Sequence, residues 1–228
     1  MTTAIVPMKA ISQRLPGKNV ASLGDKPLCY WLLNTLIACK HIDKIIVDAW
    51  GKEIIECVEQ MPGAKDIVIS QRPIEYCIET AGGNFLLERF VTDPDEIYVQ
   101  CHVTSPFLHH ETIGEAVHLI KIGDCESCFG VTKIQQRLWL DNEEQGSLSP
   151  INHRSDEPLA RTQDLDEVYA ENGSFFAFTG NSYFTHDKSR NCFASRPIPL
   201  SFPETIDIDE EDDLALARAV ISAGLTNF

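Results

Sequence analysis

Lys9, Arg14 and Lys18 place three cations within ten positions near the start of the chain, with Ser12 and Asn19 beside them and Pro16-Gly17 as a turn. Ammonium and guanidinium groups held over the end of a strand are what an oligophosphate requires: positive charge and charge-assisted donors on a rigid base. An ordinary solvated basic loop has the same composition. Asn19 stands where a Walker A loop has the Ser/Thr that holds magnesium, and the stretch contains no G-x-G-x-x-G.

Three further groups could do chemistry. Asp207 and Asp209 alternate with Ile206 and Ile208. That period of two puts both carboxylates on one face, where they could hold a hard divalent cation such as Mg2+ whose remaining ligands are phosphate oxygens and water. The competing role is helix capping, which Asp209 could perform alone. His102, Thr104 and Ser105 follow the strand-like stretch Ile97–Cys101, as donors to a substrate or as a plain strand-end turn. Arg161, Gln163 and Tyr169 form the last group. The guanidinium could fork onto a substrate carboxylate or simply balance Asp164 and Asp166.

These residues need elements to position them. Ala4–Val6 reads as a short buried strand stopped by Pro7. Leu28, Trp31, Leu32, Thr35, Leu36 and Cys39 fall on one helical face, with Asp25 as cap and Pro27 in the first turn. Lys44–Val47 follows as a second strand, making a βαβ unit. The rhythm continues with a helix near Gly51–Gln60, a strand Ile67–Ile69, a helix near Ala81–Val91 and a strand Ile97–Cys101. A helix at about His110–Ile122 and a strand Ser127–Thr132 complete it. Such alternation specifies an α/β fold: a mostly parallel twisted sheet with helices on both faces, Rossmann-like, binding ligands above the carboxyl ends of its strands. From Lys133 to Asp166 the chain is polar and lacks a helical period, unusually long for a structureless loop. A strand at Gly173–Thr179 and a helix Glu211–Ala223, with acids in its first turn, close the chain.

Composition narrows the function. For 228 residues one domain is expected. A net charge of −15 argues against a nucleic-acid surface, while the locally basic first loop suits a small anion. Apolar runs are too short to span a membrane and no leader pattern is visible, so a cytoplasmic protein is expected. Most of the eight cysteines sit in apolar runs, as small hydrophobes rather than disulfides, and Cys125-Glu-Ser-Cys128 lacks a second pair at zinc spacing.

The run Pro7–Leu28, with Ser12-Gln-Arg-Leu-Pro-Gly-Lys18-Asn19 and Gly24-Asp-Lys-Pro-Leu28, resembles the nucleotide-binding signature of the sugar-activating cytidylyltransferases. The likeness is strongest to the acylneuraminate (CMP-sialic acid synthetase-like) family, with a partial likeness to CMP-Kdo synthetases. It extends to Thr104-Ser105-Pro106, to Arg161-Thr-Gln163-Asp-Leu165 with Asn172-Gly173, and to Ile206-Asp-Ile-Asp209. It implies a nucleotide-diphospho-sugar transferase-like fold. The activity it implies is transfer of CMP from CTP to a nonulosonic or related 2-keto sugar acid, with release of pyrophosphate.

The resemblance assigns the nucleotide to Lys9, Ala10, Ser12, Arg14, Lys18, Asn19 and Arg72. It assigns the sugar to His102, Thr104, Ser105, Arg161, Gln163 and Tyr169, magnesium to Asp207 and Asp209, and catalysis to Lys18, Arg14 and both aspartates. It further implies a homodimer in which an arm at about 133–166 completes the partner's sugar site. The chain departs from the family at Lys9 for Arg, at Ala10-Ile11 for Gly-Gly, at Thr162 for a second Arg and at Trp50 for an Asp. The alternatives are a same-fold nucleotidyltransferase for another acceptor, such as a phosphonate, and a catalytically silent nucleotide-binding homologue.

Overall fold

The computed structural model describes residues 1–226 apart from 11, 13, 78–82, 143–145, 155, 157 and 192–194, with the backbone alone at 83 and 84. A seven-stranded sheet forms its centre. β1 (Thr2–Lys9) lies between β4 (Lys44–Trp50) and β6 (Ile97–Cys101), with β5 (Ile67–Gln71) outside β4; all of these neighbours pair in parallel. β10 (Val168–Thr179) runs antiparallel between β6 and β7 (Ser127–Ile134), and β11 (Ser195–Pro199) closes the far edge parallel to β7. The sheet is therefore mostly parallel, as the alternation implied.

Two features explain the strand lengths. Pro7 does not stop β1: it stays in register with Asp48 on β4, whereas pairing with β6 ends at Ile5. Proline is tolerated there because the strand has a neighbour on one side only. β6 follows the expected bounds, five residues all buried.

One face of the sheet is covered by α1 (Leu28–Ala38), α2 (Lys52–Glu59) and α4 (His110–Lys121), which enclose the largest apolar cluster, around Val6, Val47 and Val99. On the other face Tyr98, Phe176, Phe178 and Tyr183 stack with Leu87 of α3 (Gly83–Leu87). α3 is shorter than expected, and the expected start at Ala81 lies outside the described residues. The N-cap of α1 is Pro27; Asp25 instead pairs with Lys26 in the turn joining β2 (Ser22–Leu23) and β3 (Lys26–Pro27).

The segment from Lys133 to Asp166 is not structureless. It carries a hairpin, β8 (Trp139–Asn142) against β9 (Ser147–Pro150), with Trp139, Leu140 and Leu148 exposed. The polar alternation of this hairpin obscured it in sequence. α5 (Gly180–Thr185) and β11 were also unforeseen, α5 because six residues show no helical period. The last helix, α6 (Glu211–Ser222), packs Leu214, Ala217 and Val220 against Leu28, Ile206 and Ile208, anchoring the acidic segment before it.

Candidate active site

The loop after β1 crosses the carboxyl ends of the parallel strands, where a cavity of 680 Å³ opens. Lys9, Arg14 and Lys18 line it with Ser12 and Asn19. Asn19 clamps the loop to its own strand, donating its amide to the Lys9 carbonyl at 2.7 Å, and Ser12 accepts the Leu15 N–H at 3.4 Å. Ala10 donates its N–H to the Trp50 carbonyl at 2.8 Å and packs against Gly51, where any Cβ would overlap it. Close approach of the two strand ends thus requires glycine at a φ of 118°.

The β6 flank of the cavity holds His102, Val103 and Thr104. The Thr104 carbonyl accepts the Ile208 N–H at 2.8 Å, tying the strand-end turn to the acidic segment. Ile206 and Ile208 are buried as expected, so Asp207 and Asp209 share the other side. Asp209 does not cap α6. Glu210 does, in a reciprocal capping box with Asp213. Asp209 is instead held by Lys18 Nζ at 2.9 Å and Arg14 at 2.8 Å. Burial opposes its charge, but the two cations outweigh burial and hold its carboxyl below the usual range.

Asp207 shows the opposite balance: burial, aided by the charge of Asp209, pushes its carboxyl up against the Thr104 hydroxyl bond and Lys18. Its Oδ1 is buried with no hydrogen-bond partner among the described residues. A divalent cation fits this pair, since it would occupy the orphaned oxygen and remove the cost of the buried charge. No cluster of three or more His, Cys, Asp or Glu suited to a metal occurs among the described residues, so most of such an ion's shell would be phosphate and water.

His102 is kept neutral. Burial lowers its pKa to about 4, helped by Arg190 and Lys18 and opposed by Asp209. Its Nε2 is buried without a partner.

The β4 flank holds Trp50 and Cys77, neither of which the residue types alone marked as a site. Their signal was positional: Trp50 ends β4 and Cys77 follows β5, both at carboxyl ends of parallel strands. Cys77 is a free thiol raised chiefly by burial, and it donates to the Pro73 carbonyl at 3.4 Å.

Several expected site residues lie elsewhere. Arg72 does not line the cavity: it is buried, donating to Asp48 Oδ2 at 2.7 Å and to the Asp48 carbonyl at 3.1 Å, while Arg89 grips the other carboxylate oxygen. Asp48 consumes it. Ser105 is fully buried under the turn and does not line the cavity either. Arg161 is exposed and forks onto Asp164 at 2.7 and 3.1 Å; Gln163 is exposed beside it, and Tyr169 donates to Glu167 at 2.7 Å. None of these three lines the cavity of its own chain.

A family model described as Cytidylyltransferase matches residues 3–176. The chain belongs to the cytidylyltransferase family. It is 29% identical over 181 residues to N-acylneuraminate cytidylyltransferase of Oncorhynchus mykiss, covering 77% of this chain but only 40% of that protein. It is 26% identical over 227 residues to pseudaminic acid cytidylyltransferase of Campylobacter jejuni, covering 94% of this chain and 93% of that protein. Among solved structures it shares the fold of CMP:2-keto-3-deoxy-manno-octonic acid synthetase complexed with CTP, with a TM-score of 0.68 at 13% identity, covering 98% and 99% of the two chains. The cytidylyltransferase resemblance and the fold class read from the sequence are both upheld.

Proposed function

We propose that the protein transfers CMP from CTP to an acidic, nonulosonic sugar and releases pyrophosphate. The observation that carries this reading is the order of groups along the cavity. Cations lie over β1, an aromatic ring and a thiol over β4 and β5, and a neutral imidazole over β6; the paired carboxylates stand beside the cavity, where Asp209 holds its Lys18 and Arg14. A nucleoside triphosphate fits that order with its base toward Trp50 and its phosphates on Lys9, Arg14 and Lys18. The acceptor then lies on the β6 flank, in line for attack on the α-phosphorus.

The chain's own residues would act by position and charge. Arg14 and Lys18 leave Asp209 for the phosphates when CTP binds, and neutral His102 can take or give a hydrogen bond at the acceptor hydroxyl. Asp207 and Asp209 would hold Mg2+, which supplies neutralisation of the charge developing on the phosphates. The relatives that act on N-acylneuraminate and pseudaminic acid support an acceptor of this class.

Two coarser features extend the proposal. The exposed apolar side chains of the β8–β9 hairpin suit an arm that docks on a second copy, giving a homodimer. No helix among the described residues is long and apolar enough to cross a membrane, and the described cysteines are free thiols, which suits a reducing cytoplasm.

The deciding experiment is pyrophosphate release from CTP with a panel of acidic sugars, paired with calorimetry of CTP on Lys18→Ala. Loss of that contact should weaken binding by roughly 1.5–3 kcal/mol. Unchanged affinity in a folded variant would remove the first loop from the site.

A further inference from the structure

Gln100, at the end of β6, is fully buried, and its Oε1 accepts a hydrogen bond from Arg190 at 2.6 Å. That bond leaves the Gln100 Nε2 donor buried and unpartnered beside the guanidinium. Arg190 lies 3.6 Å above the centroid of the Phe176 ring, which fixes its plane. His102 also meets Phe176 edge-on and keeps its own Nε2 unpartnered; it lines the cavity, and the shared Phe176 ring links it to Arg190.

Half-buried Arg190 differs from Arg72 and Arg89. Arg72 and Arg89 share the carboxylate of Asp48. Arg190 has no carboxylate within ion-pair distance among the described residues; Glu171, whose charge it feels, is held instead by the Asn191 amide at 3.1 Å. A desolvated cation, an adjacent amide donor and an unpartnered imidazole nitrogen make an incomplete receptor. A planar anion bearing two oxygens and a neighbouring hydroxyl would complete it.

We propose that the carboxylate of the acidic acceptor enters past His102, which lines the cavity, to reach and bind Arg190 and Gln100, which do not themselves line it, with His102 facing the hydroxyl beside it. This rests on the acceptor reading above and adds the residues that choose an acid over a neutral sugar. They project from β6 and from the turn after α5, positions that no motif in the sequence marked. Arg161, already forked onto Asp164, has no such vacancy.

The test compares N-acylneuraminic acid and pseudaminic acid with their methyl esters, in wild type, Arg190→Gln and Arg190→Lys. In each protein one measures pyrophosphate release, the KM for CTP, equilibrium binding of the free acids and a thermal midpoint. Wild type should prefer acid to ester. Arg190→Gln should raise the KM for the acid by about 10- to 100-fold, erase the preference and leave the KM for CTP unchanged, with Arg190→Lys restoring part of it. An Arg190→Gln protein that keeps the preference overturns the proposal, as does an equal loss for acid, ester and CTP. Failure of the acceptor reading looks different: wild type would transfer nothing to these acids yet still bind them in an Arg190-dependent way. Neither transfer nor such binding would overturn both.

Discussion

The two flanks of β1 carry the same kinds of residue in opposite states. On β4, a fully buried carboxylate, Asp48, meets two arginines, and each of these three charges has a partner. Beyond β6, among the described residues, Arg190 has no carboxylate within ion-pair distance, and Gln100, His102 and Asp207 each keep a buried atom without a hydrogen bond. Burying a polar group costs free energy unless it is paired. The satisfied flank is therefore accounted for as structure, whereas the unsatisfied one stores a cost that a ligand can relieve. The difference separates two arginines that sequence alone would rank the other way: Arg72 matches a family motif and is consumed, while Arg190 matches none and is available.

The largest expected effect breaks the closed flank. Asp48→Ala would leave Arg72 and Arg89 buried without their counter-ion and should destabilise the fold by roughly 3–5 kcal/mol, read by urea unfolding. A loss under about 1 kcal/mol would mean the two arginines find other partners, and the contrast between flanks would lose its basis.

On the open flank the next effect is acid sensitivity. The folded state holds His102 at about 4, below the ordinary value of 6.5, so the unfolded chain takes up the proton first as pH falls. Stability should drop between about pH 6.5 and pH 4 and then level, by roughly 2–3 kcal/mol for this group. His102→Gln should remove that part of the slope. An identical acid limb in both proteins would show that His102 does not titrate as its burial requires.

How much of this was legible in the sequence depended on whether the signal was local. β6 showed its ends because Ile97-Tyr-Val and Cys101 stand between charged Glu96 and polar His102, and the Ile-Asp-Ile-Asp alternation set Asp207 and Asp209 on one face. The cap of α6 was ambiguous because Asp209, Glu210 and Glu211 are consecutive acids, and only backbone geometry selects Glu210. The passage of β1 through Pro7 depends on where its β6 neighbour ends. Arg72 and Arg190 depend on partners 24 and 90 positions away in the chain, which no periodicity records.

The paired aspartates sharpen the comparison inside the site. The lowered carboxyl of Asp209 adds stability above its unfolded pKa, which is lost as pH falls through the folded value. The raised carboxyl of Asp207 does the reverse, so protonation favours folding. At neutral pH Asp209→Asn should therefore cost on the order of 1–2 kcal/mol, while Asp207→Asn should be neutral or stabilising by up to about 1 kcal/mol. Both should depress turnover and alter its dependence on magnesium. Wild-type turnover with unaltered magnesium dependence in both variants would take the carboxylates out of the reaction.

The smallest effect belongs to Arg161. Its pair with Asp164 is solvent-exposed, so Arg161→Ala should change stability by less than about 0.5 kcal/mol and leave CTP affinity intact. In the dimer proposed here its arm reaches the other subunit, and the variant should raise the KM for the acidic sugar by only a few-fold, less than Arg190→Gln. Mixing separates this from a purely local role. Arg161→Ala keeps a sound first loop but a damaged arm, and Lys18→Ala keeps a sound arm but a damaged loop. If the arm acts in trans, re-equilibrating equal amounts gives mixed dimers in half the population, each with one undamaged site, or about a quarter of all sites. Acceptor affinity at those sites should return to the wild-type value. An unrestored KM in the mixture, with sedimentation confirming exchange, would confine the arm to its own subunit. A KM that never rose in Arg161→Ala would leave Arg161 as the surface partner of Asp164 and nothing more.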